Sequence, residues 1–478
     1  MTQSLGNKAT FGAVWATIDR FGSMALQFIV NLVLARLLVP ADFGAIGMLA
    51  IFIAVSQTLI DGGFGSALIQ KKEPTQTDYS TIFYWNITFS TFLYLVLFVS
   101  APFIAQFFNM PILSPVLRII GLNLIITSIV AIQQTRLRKI LAFRSIAITN
   151  ILSYLLAGSC AILYARHGGG IWALVMMQLL YGLFSIIIFW IITRWHPSCE
   201  FSRKTMSELF GFGGYILAAN LLQNICQNIQ GVIIGRKFSA TDTGFYSQAY
   251  KLDQITSYSI PQIIVQVMYP VYSSIQNDRE RLSAMILMNV RVIAFMIFPI
   301  LTLLIIIAPT LISLLYGDQW LPAVPLFRIL CVGGIFVCLQ NINFYGVAAV
   351  GRSKSLFVWS FYKWGFLLAA LFAGTLFGIN GIMWGMVLSA MNIYIVNALL
   401  VQKFIGLKFI AQLLTLIPIL SAILFSGLAA YFIADLTDIH FSLTIILFAA
   451  VYILSTTGLK ASREARQMFG RLIHRTNI

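Results

Sequence analysis

The segment Asn220-Leu-Leu-Gln223-Asn224-Ile-Cys-Gln227-Asn228-Ile-Gln230 carries six amide side chains inside a run long and apolar enough to cross a bilayer. At 100° per residue, the amides fall within about 160° of one helix face, and the opposite face is apolar. Amides that met lipid would be costly, so we expect them to face protein or a watery cavity. The stretch predicts a transmembrane helix that lines a polar path.

A second polar stripe occurs 200 residues earlier, in the first hydrophobic segment. Arg20, Ser23, Gln27 and Asn31 lie within about 80° of one another on their own helix. Because the two striped helices occupy corresponding positions in two halves of the chain, we expect them to form the walls of a central path.

Composition places the chain outside the soluble globular class. Of its 478 residues 59% are hydrophobic and 10% are charged, against about 25% charged in soluble domains. Five cysteines and four histidines show neither paired nor metal-ligand spacing, so we expect no disulfide, no metal and no cofactor. The first apolar run contains Asp19 and Arg20 and is too long for a cleavable signal peptide, so we expect it to remain a membrane span.

The hydrophobic segments predict an all-α polytopic membrane protein with about fourteen transmembrane helices. The seventh and eighth segments are diluted by amides and hydroxyls, which also makes them the best candidates to line a cavity. The predicted spans are 11–35, 44–61, 80–100, 113–132, 146–164, 171–192, 209–235, 245–272, 292–315, 326–349, 356–376, 381–400, 413–433 and 442–458.

The distribution of basic residues predicts the orientation. With the N-terminus inside, 22 of the 31 lysines and arginines fall in inside loops and tails, and 4 fall outside. This asymmetry places both termini in the cytoplasm of a multi-pass inner-membrane protein. It also explains the net charge of +16 as attraction to anionic lipid, with no nucleic acid required. The segment from Arg136 to Arg144 and the tail from Lys460 to Arg475 are interpreted as surface helices or as solvated basic flanks.

An internal duplication supports two similar halves. The spacing of Arg36, Asp42 and Gly44 recurs exactly 200 residues later at Arg236, Asp242 and Gly244. We interpret each Arg–Asp pair as stabilising a loop, with the glycine allowing a tight turn. The predicted organisation is two pseudo-symmetric six-helix lobes, 1–200 and 201–412, then two accessory spans in 413–458 and a basic cytoplasmic tail, 459–478.

The residues Leu34-Ala-Arg36-Leu-Leu-Val-Pro40-Ala-Asp42-Phe-Gly44, the basic segment Arg136 to Arg144, and Gly170-Ile-Trp-Ala-Leu174 carry a family resemblance. Together they resemble the polysaccharide-export flippases (Wzx/WzxC type) of the MOP superfamily, which also contains lipid II flippases and MATE drug exporters. The resemblance implies two lobes around a cavity that opens alternately to either side. It also implies a substrate made of an oligosaccharide linked to a polyprenyl pyrophosphate, and a place in surface polysaccharide biosynthesis beside polymerases and glycosyltransferases.

Such a substrate needs cations for its pyrophosphate and hydrogen-bonding groups for its sugars. Arg20 is the first candidate to bind the phosphate. In related drug exporters an acidic residue in the first helix can take part in ion coupling, and the resemblance implies that Asp19 is the corresponding residue. The remaining substrate-binding candidates are Ser23, Gln27, Asn31, Asn220, Gln223, Asn224, Gln227 and Lys251. The alternative roles are an Asp19/Arg20 region neutralised by structural partners, and amides that join helices to one another.

Two rival functions remain open. A MATE-like multidrug or ion antiporter would need an acidic, aromatic cavity, whereas cations exceed carboxylates within the predicted spans. A membrane-embedded polysaccharide polymerase or glycosyltransferase would need a large outer loop or an acidic metal motif, and neither is evident. No GxxxxGK[ST] motif is present, so we expect no ATP hydrolysis by this chain.

Overall fold

The computed structural model describes residues 5–437 and 441–458, and the residues so described form helices and no strand. A helix lies at each of the fourteen predicted spans, which confirms the all-α class. The helices are α1 (Leu5–Leu37), α2 (Pro40–Asp61), α3 (Phe64–Gln70), α4 (Gln76–Phe107), α5 (Leu113–Ile120), α6 (Leu122–Lys139), α7 (Phe143–Arg166), α8 (Ile171–Thr193), α9 (Arg203–Lys237), α10 (Ala240–Gln254), α11 (Ile260–Ser274), α12 (Arg279–Tyr316), α13 (Val324–Ala349), α14 (Ser353–Gly374), α15 (Gly378–Ile405), α16 (Phe409–Thr437) and α17 (Phe441–Gly458).

Ten stretches of the described chain are long and apolar enough to cross a membrane. One of them, Ser353–Ile405, contains both α14 and α15. Helix α9, the pair α10 and α11, and α17 are not among the ten. The chain is an integral membrane protein.

Local sequence explains how the helices begin and bend. Pro40 lies in the first turn of α2, where a missing N–H costs nothing. Gly62 and Gly63 then end α2 with φ of 51° and 75°, values that favour glycine. Between α10 and α11, the turn Ile255–Ser259 is π-helical and ends two residues before Pro261. Proline lacks an N–H and crowds the carbonyl four residues earlier, and the wider turn accommodates both effects.

The basic segment near Arg136 does not form a separate surface helix, so that interpretation is wrong. Residues up to Lys139 complete α6, and Leu141, with φ of 59°, lies in the turn before α7. Arg136 lies over the ring of Trp195, 5.2 Å from its centroid. Lys139 Nζ donates to the Ile69 carbonyl over 2.9 Å at the end of α3, where a cation is favourable. The predicted basic tail, 459–478, lies outside the described residues.

The chain divides into two compact units, the first ending at Ser247 and the second beginning at Gln248. In the first unit, α1 packs on α7, α7 on α8, and α2 on α9. Fully buried apolar residues such as Met48, Leu49 and Leu117 form its main core. Because α9 packs on α2, this unit extends beyond residue 200. The predicted lobe boundaries, 1–200 and 201–412, remain a prediction.

The second unit centres on α12 and α13. Helix α13 packs on α15 and on α12, and α16 packs on α12 and α17. Phe298, Trp320 and Phe327 are almost completely buried there.

Candidate functional site

The polar face of α1 repeats every four residues, at Asp19, Ser23, Gln27 and Asn31. Residues four apart on a helix lie one above another, so these side chains form a column. Ser23 Oγ donates a hydrogen bond to Asp19 Oδ1 over 3.4 Å. The predicted stripe is therefore a continuous polar face in a helix of membrane-crossing length.

Helix α7 supplies partners for this column at the same four-residue spacing. Asn150 Nδ2 donates to Asp19 Oδ1 over 2.9 Å, and Gln27 Nε2 donates to the Tyr154 hydroxyl over 2.6 Å. Because α1 and α7 pack side by side, two turns of each helix are joined through polar groups.

Helix α8 adds Tyr181 to the same arrangement. Its hydroxyl donates to Asn150 Oδ1 over 3.3 Å, and its ring stacks on Tyr154 with centroids 4.1 Å apart. We call the group Asp19, Ser23, Gln27, Asn150, Tyr154 and Tyr181 the α1–α7–α8 network. The sequence prediction did not include the α7 and α8 members. The available signal was the four-residue spacing of Asn150 and Tyr154 within an apolar segment.

The predicted cations lie on two different units. Arg20 follows Asp19 on α1, and its side chain is exposed. Lys251 is an exposed residue of α10 in the second unit. Asn31 is half-buried near the end of α1.

The amides of α9 do not behave as one uniform stripe. Gln223 and Gln227 are exposed, whereas Asn224 is half-buried and donates to Thr58 Oγ1 of α2 over 2.9 Å. Asn224 also donates to the Asn220 carbonyl over 3.1 Å, a bond within the same helix. Gln230 is buried, and its Nε2 donates to the Cys226 carbonyl over 3.1 Å. The stripe thus combines exposed amides with amides that bind α2 or their own helix.

The duplicated Arg–Asp–Gly spacing has a different structural role from the predicted one. Asp242 accepts a hydrogen bond from Ser239 Oγ over 2.7 Å, while Arg236 lies 5.3 Å from the Phe107 ring centroid. The predicted Arg236–Asp242 contact is therefore wrong. Gly44 and Gly244 lie inside α2 and α10, and neither has a positive φ. They permit a close approach of two backbones instead of a tight turn.

The candidate metal ligands of residues 5–437 and 441–458 are their His, Cys, Asp and Glu side chains. Within these ranges no three of them form a group that could hold a metal ion. The chemistry available at the α1–α7–α8 network and at Arg20 is hydrogen bonding and charge.

Residues 33–325 match the family described as "Polysaccharide biosynthesis protein". The teichuronic acid biosynthesis protein TuaB of Bacillus subtilis is 28% identical over 358 residues, which cover 74% of each chain. The lipopolysaccharide biosynthesis protein WzxC of Escherichia coli is 24% identical over 83% of this chain and 80% of its own.

Among solved structures, the fold is similar to that of the lipid II flippase MurJ in an inward closed conformation. The TM-score is 0.73 at 15% sequence identity, and the match covers 95% of this chain and all of the MurJ chain. At this level of identity the similarity establishes a shared fold.

Proposed function

The chain belongs to the polysaccharide biosynthesis protein family, and from this premise we propose that it transports a lipid-linked oligosaccharide across a membrane. The proposed substrate is an undecaprenyl-pyrophosphate-linked repeat unit destined for a surface polysaccharide such as O-antigen, capsule or exopolysaccharide. TuaB is named for teichuronic acid biosynthesis, WzxC for lipopolysaccharide biosynthesis, and MurJ as a lipid II flippase, and these names support the proposal.

The observation that carries the proposal is the polar face of α1. A membrane-crossing helix displays an exposed guanidinium at Arg20 beside a column of hydrogen-bonding groups. Polar residues at membrane depth are costly and tend to mark substrate pathways. A guanidinium binds phosphate oxygens through two parallel hydrogen bonds, and amides both donate to and accept from sugar hydroxyls.

The head group is accordingly assigned to this face. Arg20 binds the pyrophosphate, while Ser23 and Gln27 bind the first sugars. The lipid tail stays in the bilayer. The further contacts proposed are Asn31, Asn220, Gln223, Asn224, Gln227 and Lys251.

Asp19 is proposed as the ion-coupling residue. Its Oδ1 already accepts hydrogen bonds from Ser23 and Asn150. A proton or a cation that binds this carboxylate competes with those donors, and so alters the contacts between α1 and α7. A shift of α1 relative to α7 would also move Arg20, the residue after Asp19.

Transport then proceeds by alternating access and makes or breaks no covalent bond. The head group enters from the cytoplasmic side, the protein rearranges, and the head group leaves on the opposite side. Net transport in one direction is driven by a proton or sodium gradient, by the membrane potential, or by removal of the product by a polymerase. The proposed location is the inner membrane with both termini in the cytoplasm, where glycosyltransferases supply substrate.

A gene deletion in the producing strain tests this function. We expect surface polysaccharide to disappear while the lipid-linked repeat unit accumulates, because synthesis continues without export. A control strain that carries the intact gene on a plasmid should regain surface polysaccharide.

The other outcomes identify the rival functions. A missing lipid-linked repeat unit would indicate a glycosyltransferase, and accumulation of single exported repeat units would indicate a polymerase. Unchanged polysaccharide with increased drug sensitivity would indicate a multidrug antiporter.

A further inference from the structure

The first unit contains a cavity of about 270 Å³ among α2, α4, α6 and α8. This volume is larger than a single ion or a single water molecule requires. Asp61, at the end of α2, is exposed, so the cavity opens to the outside of the unit at this residue. The cavity is distinct from the amide face of α9, which contributes none of its lining.

Three amide side chains from three different helices meet in this cavity: Gln57 of α2, Asn86 of α4 and Gln134 of α6. Within the described part of the chain, none of these three side chains makes a hydrogen bond. Asn86 is only 3% exposed, and its Oδ1 is a buried acceptor with no partner. A buried amide without hydrogen bonds is costly, and native proteins almost always satisfy such groups. The cavity is therefore built for a ligand or waters that both donate and accept hydrogen bonds.

The charge of the lining restricts the ligand class. Among the described residues that line the cavity, only Asp61 is charged; Arg138 lies near enough to offset part of its charge, but a carboxylate in the wall still disfavours a phosphate group there. A single bound cation could use the amide oxygens, but it would leave the N–H donors of the three amides and most of the cavity volume unused. A neutral group with several hydroxyls is not repelled by Asp61. It can also use both the donors and the acceptors of the amides, because each hydroxyl donates one hydrogen bond and accepts another.

Tyr181 connects this cavity to the α1–α7–α8 network. Its ring lines the cavity, and its hydroxyl donates to Asn150, which binds Asp19 on α1. Because Tyr181 belongs to that network, an occupant of the cavity would contact a member of the network that holds the polar face of α1.

We propose that this cavity binds one uncharged sugar residue of the lipid-linked head group, separate from the pyrophosphate contact at Arg20. The inference rests on the proposed function, since it assigns a second part of the same substrate. Gln57, Asn86 and Gln134 supply hydrogen bonds to the sugar hydroxyls, and Tyr181 supplies an aromatic wall.

The test compares two probes on the purified full-length protein in detergent. The first is undecaprenyl pyrophosphate, which carries no sugar, and the second is the lipid-linked oligosaccharide fraction extracted from the producing strain. Asn86→Leu and the half-buried Gln57→Leu each remove one amide. Gln106→Leu, at an exposed position near the end of α4, is the matched control. Thermal unfolding of each variant establishes that it is folded.

We expect both cavity variants to bind the oligosaccharide fraction about tenfold more weakly than the wild type, a change of about 1.4 kcal/mol. Their affinity for undecaprenyl pyrophosphate should stay unchanged, and the control should match the wild type with both probes. Folded cavity variants that bind the oligosaccharide fraction like the wild type would overturn the inference. An equal loss of affinity for both probes would overturn it as well. If the wild type bound neither probe, the proposed function itself would fail.

Discussion

Gly44 and Gly244, exactly 200 residues apart, lie against each other: a Cβ atom added to Gly44 would be 2.9 Å from the backbone nitrogen of Gly244. The same Cβ would overlap the Ala240 carbonyl oxygen, and a Cβ on Gly244 would overlap the Pro40 carbonyl oxygen. The two copies of the duplicated spacing thus contact each other backbone to backbone. Glycine is required at both positions because any side chain would push α2 and α10 apart.

Gly244→Ala is therefore expected to destabilise the protein. The new methyl group meets backbone atoms of Pro40, which cannot rotate away as a side chain would. Overpacking of this kind costs about 1–3 kcal/mol, and thermal unfolding in detergent measures it.

Gly365→Ala is the matched control, because a Cβ there meets nothing within 4 Å and the residue has no positive φ. It lies inside α14, so alanine should leave the unfolding midpoint unchanged or raise it slightly. Equal midpoints for the two variants would show that the contact between Gly44 and Gly244 does not constrain the fold.

Asp78 joins the start of α4 to two other elements. It caps α4 through Thr75, forms an ion pair with Lys71 Nζ at 2.8 Å, and accepts from Thr205 Oγ1 of α9 over 2.9 Å. Since Asp78 is only 2% exposed, Asp78→Ala removes the cap of α4 and the ion pair with Lys71, and it leaves the buried Thr205 hydroxyl without its acceptor. We expect a loss of about 2–3 kcal/mol from the cap and the buried hydrogen bonds together.

Asp242→Ala provides the comparison for this prediction. Asp242 makes a similar contact with Ser239 near the start of α10, but it is only half-buried. Its replacement should cost about 1 kcal/mol or less. A smaller effect of Asp78→Ala than of Asp242→Ala in urea or thermal unfolding would contradict the role assigned to Asp78.

Lys363 is a buried ammonium in the second unit. Its Nζ donates to Asn397 Oδ1 over 2.5 Å and lies 5.8 Å from the Phe344 ring centroid. Asn397→Leu removes the amide oxygen and should destabilise by about 1–3 kcal/mol. Lys363→Met removes the ammonium itself, so it should cost much less, and it should reduce the penalty of Asn397→Leu when the two are combined. Strictly additive unfolding energies would show that the pair is not coupled.

Much of the fold could be predicted from the sequence because membrane-crossing helices carry a strong signal. Each must place about twenty apolar residues in succession, and a helix lies at each of the fourteen predicted spans. The family resemblance seen in the segment around Arg36 to Gly44 and in Gly170 to Leu174 is confirmed by the match over residues 33–325. The α1 column was also predictable, since Ser23, Gln27 and Asn31 repeat every four residues.

The partners of these residues could not be predicted in the same way. Asn150 and Tyr154 lie on α7 and Tyr181 on α8, and only helix packing shows that Asn150 meets Asp19 and that Tyr154 meets Gln27. The cavity amides come from three separate helices, so no local pattern connects them. The α9 stripe is a further example. Its periodicity places the amides on one helix face, but it does not show that Asn224 binds Thr58 of α2.

The most direct test of the account is the rate at which purified protein in liposomes moves the lipid-linked oligosaccharide fraction from one leaflet to the other. Arg20→Gln should lower this rate at least tenfold, and Arg20→Lys should lie between it and the wild type, because lysine keeps the charge but loses the planar fork. Arg166→Gln, at an exposed cation near the end of α7, should match the wild type. A wild-type rate for Arg20→Gln would contradict the claim that the polar face of α1 binds the pyrophosphate during transport.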